Sequence, residues 1–461
     1  MQKRFALLAA GLGLATALAA QTYKLPAYEK FVLPSGLTVY LMEHHEVPMI
    51  SVSMVFDGGA VHDPEGKSGL AAATAEALRF GAGARSKAQL DEELDFTGAS
   101  LVTFAGKESA GLRASFAAKD QALVFGILKD LLIAPQFDAT ELTNYLARTR
   151  DELGQAKESP RSVIASYWNA FVYAGHPYAK PTGGTPEGVG AITRADVAAF
   201  YTARYRAGSS AIAIVGDFKL ADMKRQVTEW LGGWKTPKPE KATYSAPALS
   251  FEGARVLLVD KPDARETTFY IGGKGGVNFT SPDYVSLSVI NTVLGGRFTS
   301  WLNDQLRVNS GLTYGARSQF ATYRQGSTFQ ISTFTKVSST EAAIDLALVV
   351  LDSLHRVGID ETTLKSAQNY VKGDFPTNYE TASQLSALLT SFFELGYNEA
   401  FINSFQQQVD GLTVARCREL VAKYIPRDKL QFVLIGKAEA IGDLAKKYGT
   451  VTQKPIAESG F

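Results

Sequence analysis

The chain has 461 residues, about three times a typical ~150-residue domain, so more than one domain is expected. Its 46% hydrophobic and 20% charged residues exclude wholesale disorder, and its net charge of +1 offers no electrostatic attraction to nucleic acid or to an anionic membrane. The single cysteine, Cys417, excludes an internal disulfide framework and a cysteine-rich zinc site, and we expect it to be a buried helical thiol.

The first twenty residues, 1–20, predict a signal peptide rather than part of the fold. Lys3 and Arg4 precede an uncharged stretch of Ala, Leu and Gly, and residues 17–19 (Ala-Leu-Ala) fit the small-x-small cleavage rule. The alternative, an N-terminal membrane anchor, is disfavoured because the apolar run is short for a bilayer span. We therefore expect a periplasmic or secreted protein, with no later segment apolar enough to span a membrane.

The first half of the mature chain, residues 21–233, mixes strands with helices. Residues 50–56 alternate at period two, which predicts a half-buried strand, and Ser68 is expected to cap a helix from Gly69 to about Phe80. The other patterns predict strands at 31–33 and 37–41, a strand-like region at 101–117 and a buried strand at 211–215. They also predict helices at about 120–133 and 138–158, a helix that begins at Pro160, and a helix start with a capping pattern at 193–196.

The second half, residues 249–461, follows a segment rich in Pro, Lys and Ala, residues 234–248, that indicates an interdomain linker. Its patterns repeat the order of the first half: strands at 269–272, 327–334 and 430–436, and helices at about 282–294, 340–355 and 361–374. Duplication of one unit is the simplest explanation of this repeated order. We predict an α+β fold of two related domains, each a mainly antiparallel sheet packed with helices, which excludes an all-helical bundle and an all-β sandwich.

Five stretches, taken in their order and spacing, resemble the pitrilysin/insulinase family of zinc metallopeptidases. They are residues 34–39 (Pro-Ser-Gly-Leu-Thr-Val), 63–71 (Asp-Pro-Glu-Gly-Lys-Ser-Gly-Leu-Ala), 176–178 (His-Pro-Tyr), 184–187 (Gly-Thr-Pro-Glu) and 214–217 (Ile-Val-Gly-Asp). The resemblance covers nearly the whole mature chain, and it implies that the two domains form one half of a clamshell.

The family's metal motif is altered in this sequence. Active members carry His-x-x-Glu-His on the helix after Gly-Leu-Ala, where the two histidines bind zinc and the glutamate deprotonates the metal-bound water. The corresponding positions are Ala72, Ala75 and Glu76, and the resemblance implies Glu152 at the third ligand position. Because alanine has no lone pair and two carboxylates without imidazole rarely hold zinc tightly, we expect no zinc in this chain. Glu76 and Glu152 are expected to be polar helix residues, with a remnant metal affinity as the alternative.

The five histidines offer few other metal sites. His44 and His45 would point to opposite faces of a strand, so a shared ion would require a turn there and further ligands. His176 is expected to be a loop residue, while His62 and His355 have no carboxylate or histidine at metal-ligand spacing. The sequence also contains no Gly-x-Ser-x-Gly nucleophile elbow. It therefore shows no recognisable pair of nucleophile and base with which the chain could act as an independent enzyme without zinc.

The second half retains a different family signature. Residues 294–300 (Leu-Gly-Gly-Arg-Phe-Thr-Ser), followed by Arg307 and Tyr314, resemble the segment in which an arginine and a tyrosine seven residues apart complete the active site. A guanidinium and a phenol are both hydrogen-bond donors, and both can serve a scissile carbonyl oxygen as it gains negative charge. Trp301 and Val308 stand where the family often has an arginine and an acid, a departure that concerns local packing and not the pair.

The resemblance implies a two-chain peptidase in which one subunit carries zinc and the other carries the arginine–tyrosine pair. We therefore predict an exported, zinc-free subunit that is inactive alone, pairs with a homologous zinc-bearing subunit and acts on peptide substrates. The substrate is expected to lie along a sheet edge as an added strand. The alternative is a non-catalytic scaffold or peptide-binding protein with the same fold, against which the retention of Arg307 and Tyr314 argues.

Overall fold

The computed structural model describes residues 23–234, 236 and 244–461. The expected signal peptide, residues 1–20, and most of the expected linker lie outside the described residues. The domain limits at residues 233 and 249 stay predictions.

The chain folds into two halves, each a six-stranded mixed sheet packed with helices. The strands of the first half are β1 (Glu29–Val32), β2 (Thr38–Glu43), β3 (Met49–Phe56), β4 (Ser100–Ala105), β5 (Ala110–Ala117) and β6 (Ser210–Gly216). Those of the second half are β7 (Arg255–Asp260), β8 (Glu266–Lys274), β9 (Arg317–Tyr323), β10 (Gly326–Lys336), β11 (Gln431–Gly436) and β12 (Thr450–Pro455).

Helices fill the connections in both halves. The first half contains α1 (Leu70–Ala77), α2 (Lys87–Thr97), α3 (Gln121–Ile133), α4 (Ala139–Ala156), α5 (Pro160–Val172), α6 (Pro186–Gly190), α7 (Arg194–Arg204) and α8 (Leu220–Leu231). The second contains α9 (Tyr284–Asn291), α10 (Trp301–Asn303), α11 (Thr340–Arg356), α12 (Glu361–Asp374), α13 (Ala382–Leu395), α14 (Glu399–Asp410), α15 (Val414–Tyr424) and α16 (Ala438–Ala445).

The two sheets share one topology in five of their six strands. The order is β1-β2-β6-β3-β5-β4 in the first sheet and β12-β7-β11-β8-β10-β9 in the second. In both, the second and third strands in this order are parallel and the remaining neighbours up to β4 or β9 are antiparallel. The sixth strand differs, since β1 is antiparallel to β2 whereas β12 is parallel to β7. The predicted fold class, two related α+β domains, is therefore confirmed.

Each half covers the sheet of the other half with one helix. Side chains of α5, including Tyr167 and Trp168, are buried against β7 and β11 of the second sheet. In the reverse direction, α13 buries Leu385, Leu389 and Phe392 against β2, β3 and β6 of the first sheet. Both sheets are thus enclosed on two faces, one by helices of their own half and one by a helix from the other half.

The prediction of a half-buried strand at residues 50–56 is wrong for this reason. In β3 only Met49 is partly exposed, and the serines that alternate with the apolar residues are also buried. Ser53 Oγ lies 3.0 Å from Thr390 Oγ1 on α13, so its hydroxyl is satisfied in the interior. The alternation therefore distinguishes the face toward α13 from the face toward the core of its own half, and neither face meets water.

Other sequence predictions fare differently at the level of single elements. The capping pattern at 193–196 is confirmed, because Thr193 and Asp196 form a reciprocal capping box at the start of α7. The strand-like region 101–117 is two strands, β4 and β5, that pair as a hairpin.

We expect Leu389→Ala to lower the free energy of unfolding by about 2–5 kcal/mol, because Leu389 is fully buried between α13 and the first sheet. Val349→Ala, at a residue that is 58% exposed on α11, is the matched control and should change it by less than about 0.5 kcal/mol. Urea unfolding followed by circular dichroism measures both. Equal, small losses in the two variants would mean that α13 is not held against the sheet.

Candidate functional site

The helix that carries the altered metal motif, α1, begins in an unusual way. Gly69 precedes it with a φ of 104°, a left-handed conformation that favours glycine, and no side chain at that position caps it. The carboxylate of Asp63, which is 1% exposed, accepts hydrogen bonds from the N–H groups of Gly69 (2.7 Å) and Ala71 (2.8 Å). The prediction that Ser68 caps the helix is therefore wrong, since Asp63 takes over that role from six residues upstream.

The buried Asp63 carboxylate is influenced by two nearby lysines, Lys180 and Lys107. Burial raises the pKa of Asp63 to about 6, although its hydrogen bonds from Gly69 and Ala71 act in the opposite direction. Lys180 Nζ donates to the backbone oxygens of Asp63 (2.5 Å) and Val61 (3.2 Å). Burial also lowers the pKa of Lys107 to about 8. These contacts fix the segment that leads into α1.

The three positions that correspond to the His-x-x-Glu-His motif all lie on α1. None of them supplies an imidazole, and the position of the catalytic glutamate holds an alanine. Ala75 is 2% exposed and Ala72 is partly buried, so each presents only a methyl group. The carboxylate of Glu76 is already engaged, because it accepts a hydrogen bond from Thr103 Oγ1 on β4 at 2.6 Å and lies 3.8 Å from Arg79. Glu76 therefore connects α1 to the edge strand of the first sheet.

Glu152 lies on α4 with 65% of its side chain exposed and forms an ion pair of 3.7 Å with Arg148. Tyr145, two helical turns before it, is near both carboxylates: burial is the main cause that raises the pKa of Tyr145, and Glu76 and Glu152 both add to the rise. Within the described residues no group of three or more His, Cys, Asp or Glu side chains could hold a metal ion. The residues at the family's zinc position therefore do not fit zinc.

Two of the other candidate residues, His45 and His176, have structural partners. His45 Nδ1 lies 2.7 Å from Asp217, whose hydrogen bond raises the pKa of His45. His176 is a loop residue, as expected, with Nε2 at 2.8 Å from the backbone oxygen of Ser245. Cys417 is buried, and burial raises its pKa to about 11, so it is a poor nucleophile.

Arg307 lies in a π-helical turn, Asp304–Asn309, that follows α10. The chain then folds back at once, because the carbonyl oxygen of Leu306 accepts hydrogen bonds from the N–H groups of Leu312 (2.8 Å) and Thr313 (3.2 Å). This closure brings Leu306, which precedes Arg307, next to Thr313, which precedes Tyr314. We call residues 306–316 the donor loop.

Side chains of the second sheet and of α10 anchor the donor loop. On β10, Thr333 Oγ1 lies 3.0 Å from Thr313 Oγ1 and Thr335 Oγ1 donates to the Leu312 carbonyl at 2.7 Å. The buried Asn303 accepts a hydrogen bond from the N–H of Ala316 at 2.9 Å. The loop is thus fixed at its middle and at its end, which limits the movement of the side chains it carries.

The glycines upstream of the donor loop have a packing reason. A Cβ atom on Gly295 would lie 2.2 Å from the backbone nitrogen of Ser318 on β9, so only glycine allows this close approach. Asn291 secures the same contact, since its amide donates to the Ser318 carbonyl at 2.9 Å and its oxygen accepts from Ser318 Oγ at 2.7 Å. The Gly-Gly signature therefore sets the distance between the helix end and the sheet edge.

Both side chains of the expected pair are available to a ligand. The Arg307 guanidinium lies 4.4 Å from the ring centroid of Phe298 and has no carboxylate within ion-pair distance in the part of the chain that the structure describes. Tyr314 is 83% exposed, and its ring is stacked on Phe334 at a centroid distance of 6.4 Å. Phe334 is in turn covered by the guanidinium of Arg161, from α5 of the first half, at 3.4 Å.

A buried polar cluster between the halves was not foreseen from the sequence. Glu108, which is 6% exposed, accepts hydrogen bonds from the hydroxyls of Tyr178 (2.7 Å) and Tyr244 (3.0 Å) and from the N–H of Arg324 (2.9 Å). The Arg324 side chain returns to the first half, 3.3 Å from Asp57. The His-Pro-Tyr stretch, residues 176–178, was the available signal, and its tyrosine hydroxyl also accepts a hydrogen bond from the Gln325 N–H of the second half at 3.1 Å.

Known proteins share both sequence and fold with this chain. Residues 38–186 match the family model described as Insulinase (Peptidase family M16), and residues 191–371 match the model described as Peptidase M16 inactive domain. A relative from Mycobacterium leprae named uncharacterized zinc protease is 24% identical over 84% of this chain and 87% of its own length. A relative from Helicobacter pylori named non-peptidase homolog YmxG is 23% identical over 85% of this chain and 90% of its own length.

A solved structure from Pseudomonas fluorescens, titled as a peptidase M16 inactive domain, superposes with a TM-score of 0.83 at 22% identity. It covers 93% of this chain and 99% of that one. At this level of identity the likeness concerns the fold.

The purified wild-type chain is expected to retain far less than one zinc per chain after dialysis, because Ala72 supplies no ligand and Glu76 offers a carboxylate in place of the second imidazole. The double variant A72H/E76H, with two imidazoles at i and i+4 beside Glu152, should retain measurably more. Elemental analysis of both, and of A72H/E76H/E152A as the control that lacks the third ligand, makes the comparison. One zinc per wild-type chain, removable by a chelator, would contradict this account.

Proposed function

Since the chain belongs to the insulinase family of peptidases, family M16, we propose that it is an exported, zinc-free subunit that acts in peptide hydrolysis beside a homologous zinc-bearing chain. The chain by itself is an insulinase-like protein whose zinc position cannot hold the metal, so it is expected to be inactive alone. The observation that carries the proposal is the contrast between this altered metal site and the anchored donor loop, whose Arg307 and Tyr314 donors have no acceptor among the described residues.

The donor pair suits the stabilisation of a developing oxyanion. Arginine keeps its charge at any working pH, and neither the Arg307 guanidinium nor the Tyr314 hydroxyl has a hydrogen-bond acceptor among the described residues. Donors held in place before the reaction cost little reorganisation when the carbonyl oxygen of a peptide gains charge. The anchoring of the loop by Thr333 and Thr335 supports such a role, because it limits the movement of both donors.

The surroundings of the donor loop support contact with another chain. Phe298 and Val308 are each 65% exposed and lie beside Arg307, whose guanidinium covers the Phe298 ring at 4.4 Å and whose next residue is Val308. Large apolar side chains clustered at a surface are typical of interaction sites. A partner that covers this surface would also exclude water from the two donors, which strengthens their interaction with substrate.

The proposed substrate is an extended peptide that adds to a sheet edge. The outer strand of the first sheet, β4, lies beside α1 through the contact between Thr103 and Glu76. The outer strand of the second sheet, β9, follows the donor loop directly. Backbone pairing at such an edge gives affinity with little sequence preference.

The alternative function is a scaffold or peptide-binding protein without any part in hydrolysis. The loss of three groups at the zinc position favours it, as does the printed name of the Helicobacter pylori relative, non-peptidase homolog. This scaffold function assigns no role to Arg307 and Tyr314, whose donors have no acceptor among the described residues. A zinc-bearing partner that copurifies with the tagged chain from its own host, recognised by its His-x-x-Glu-His motif, favours the peptidase pair over the scaffold.

In the assembled pair, Tyr314→Phe and Arg307→Ala should each lower the turnover of a fluorogenic peptide by about 10²–10³, since each removes one oxyanion donor. Zinc content and elution volume should stay unchanged, because neither residue ligates metal. Tyr370→Phe, at a half-exposed tyrosine on α12, is the control and should leave turnover unaltered. Turnover within twofold of wild type for both donor variants would reduce the chain to a scaffold.

Export is the second part of the proposal, and it rests on residues 1–20. In the described part of the chain, no helix has the length and hydropathy to cross a bilayer. N-terminal sequencing of the protein from its native host should give a mature start at Ala20 or Gln21. An intact Met1 on a membrane-bound protein would refute export.

A further inference from the structure

We propose that a cavity between the two halves, distant in sequence from the donor loop, binds a short peptide by its free termini. This junction cavity has a volume of about 560 Å³ and is bounded by residues 25–30 and Tyr40 of the first half and by residues 392–403 of the second. Cavities at the boundary of two domains are common places for small ligands, and this volume lies within the usual range for them. The proposal does not depend on the proposed function, because neither Arg307 nor Tyr314 lines the cavity.

Four aromatic side chains form the apolar wall. The ring of Tyr28 lies 6.0 Å from that of Tyr40 and 6.2 Å from that of Phe392, and Phe392 lies 5.2 Å from Tyr397. Tyr40 and Phe392 belong to the buried cluster under α13, so this wall is held by the core. Aromatic faces and edges at these distances offer a good surface for an apolar or aromatic side chain.

Glu399, at the first position of α14, supplies a negative charge at one end. Its carboxylate accepts a hydrogen bond from the Tyr28 hydroxyl at 2.6 Å, and this bond is the main cause that lowers the pKa of Glu399. No basic side chain lies within ion-pair distance of it among the residues described, although Lys30 acts on it from farther away. The carboxylate is therefore charged and open to a cationic group such as a peptide ammonium.

Lys30 supplies a positive charge at the other end. It pairs across the strands with Tyr40, and its ammonium lies 5.4 Å from the centroid of that ring. In the described ranges it too lacks an ion-pair partner. The Leu25 N–H donates to the Asn403 side chain at 3.0 Å, which holds the segment before β1 against α14 and keeps the two charged ends in place.

Lys30 and Glu399 both line the cavity and are too far apart to form an ion pair with each other, so a ligand that carries an ammonium and a carboxylate can contact both. In a peptide the extended chain separates these two groups by ~3.3–3.6 Å per residue. The geometry fits a di- or tripeptide with its ammonium on Glu399, its carboxylate on Lys30 and an apolar side chain against the rings.

Binding would also join the halves, because the walls come from both. A ligand that binds only the folded protein raises its melting temperature in a concentration-dependent way. Thermal unfolding in the presence of peptide therefore gives a readout that requires neither catalysis nor a partner chain.

The test is isothermal titration of the full mature chain with the tripeptide Ala-Phe-Ala, its N-acetylated form and its C-amidated form. The free tripeptide should bind and raise the melting temperature, and each blocked form should bind about ten- to a hundredfold more weakly, since each loses one charge-assisted contact. Glu399→Gln should abolish the preference for the free amine, and Lys30→Met the preference for the free carboxylate. Glu65→Gln and Lys365→Met, at exposed residues outside the cavity, should bind like wild type.

The comparison of the three peptides on the wild-type chain holds even if a variant fails to fold. Equal affinity for the free and blocked forms would overturn the proposal, and so would the absence of heat at millimolar peptide. A Glu399→Gln protein that folds and still prefers the free amine would overturn it equally.

Discussion

The burial of each sheet on both faces is the constraint on which the rest of the structure depends. A sheet of mainly apolar strands needs two covers, and each half of this chain provides only one of its own. The second cover is the helix received from the other half, α5 on the second sheet and α13 on the first. The halves therefore share their cores. Their relative position is fixed further by two hydrogen bonds across the halves, from the Arg324 N–H to the buried Glu108 and from the Gln325 N–H to the Tyr178 hydroxyl.

This shared burial extends to both ends of the candidate site. Phe334, which stacks on Tyr314, is covered by Arg161 at the start of the exchanged helix α5, so the orientation of the phenol depends on the first half. At the altered metal position, Glu76 has become a link between α1 and the edge strand through Thr103. At the family's metal position, α1 of this chain is thus a structural element, whereas the second half presents two donors with no partner in the described chain.

Much of this could be predicted from the sequence, and the exceptions have physical causes. Period-two and helical patterns located most of the elements of the first half and the duplication. The resemblance pointed to Ala72, Ala75, Glu76, Arg307 and Tyr314, whose roles stay predictions. The pattern at residues 50–56 misled, because the helix that covers it lies more than 300 residues away and no local pattern reports such a contact. Asp63 was missed as the cap of α1 since it acts from six residues upstream. The threonines that anchor the donor loop lie on a separate strand, where nothing local marks them.

The central proposal is that this chain supplies the hydrogen-bond donors Arg307 and Tyr314, and that a homologous partner chain supplies the zinc site. Native mass spectrometry of the complex purified from its own host, combined with elemental analysis, tests it most directly. The account predicts a pair of two different chains with one zinc per pair, and the metal should remain with the partner when the chains are separated. A zinc ion that stays with this chain, or a stable homodimer with peptidase activity, would contradict it.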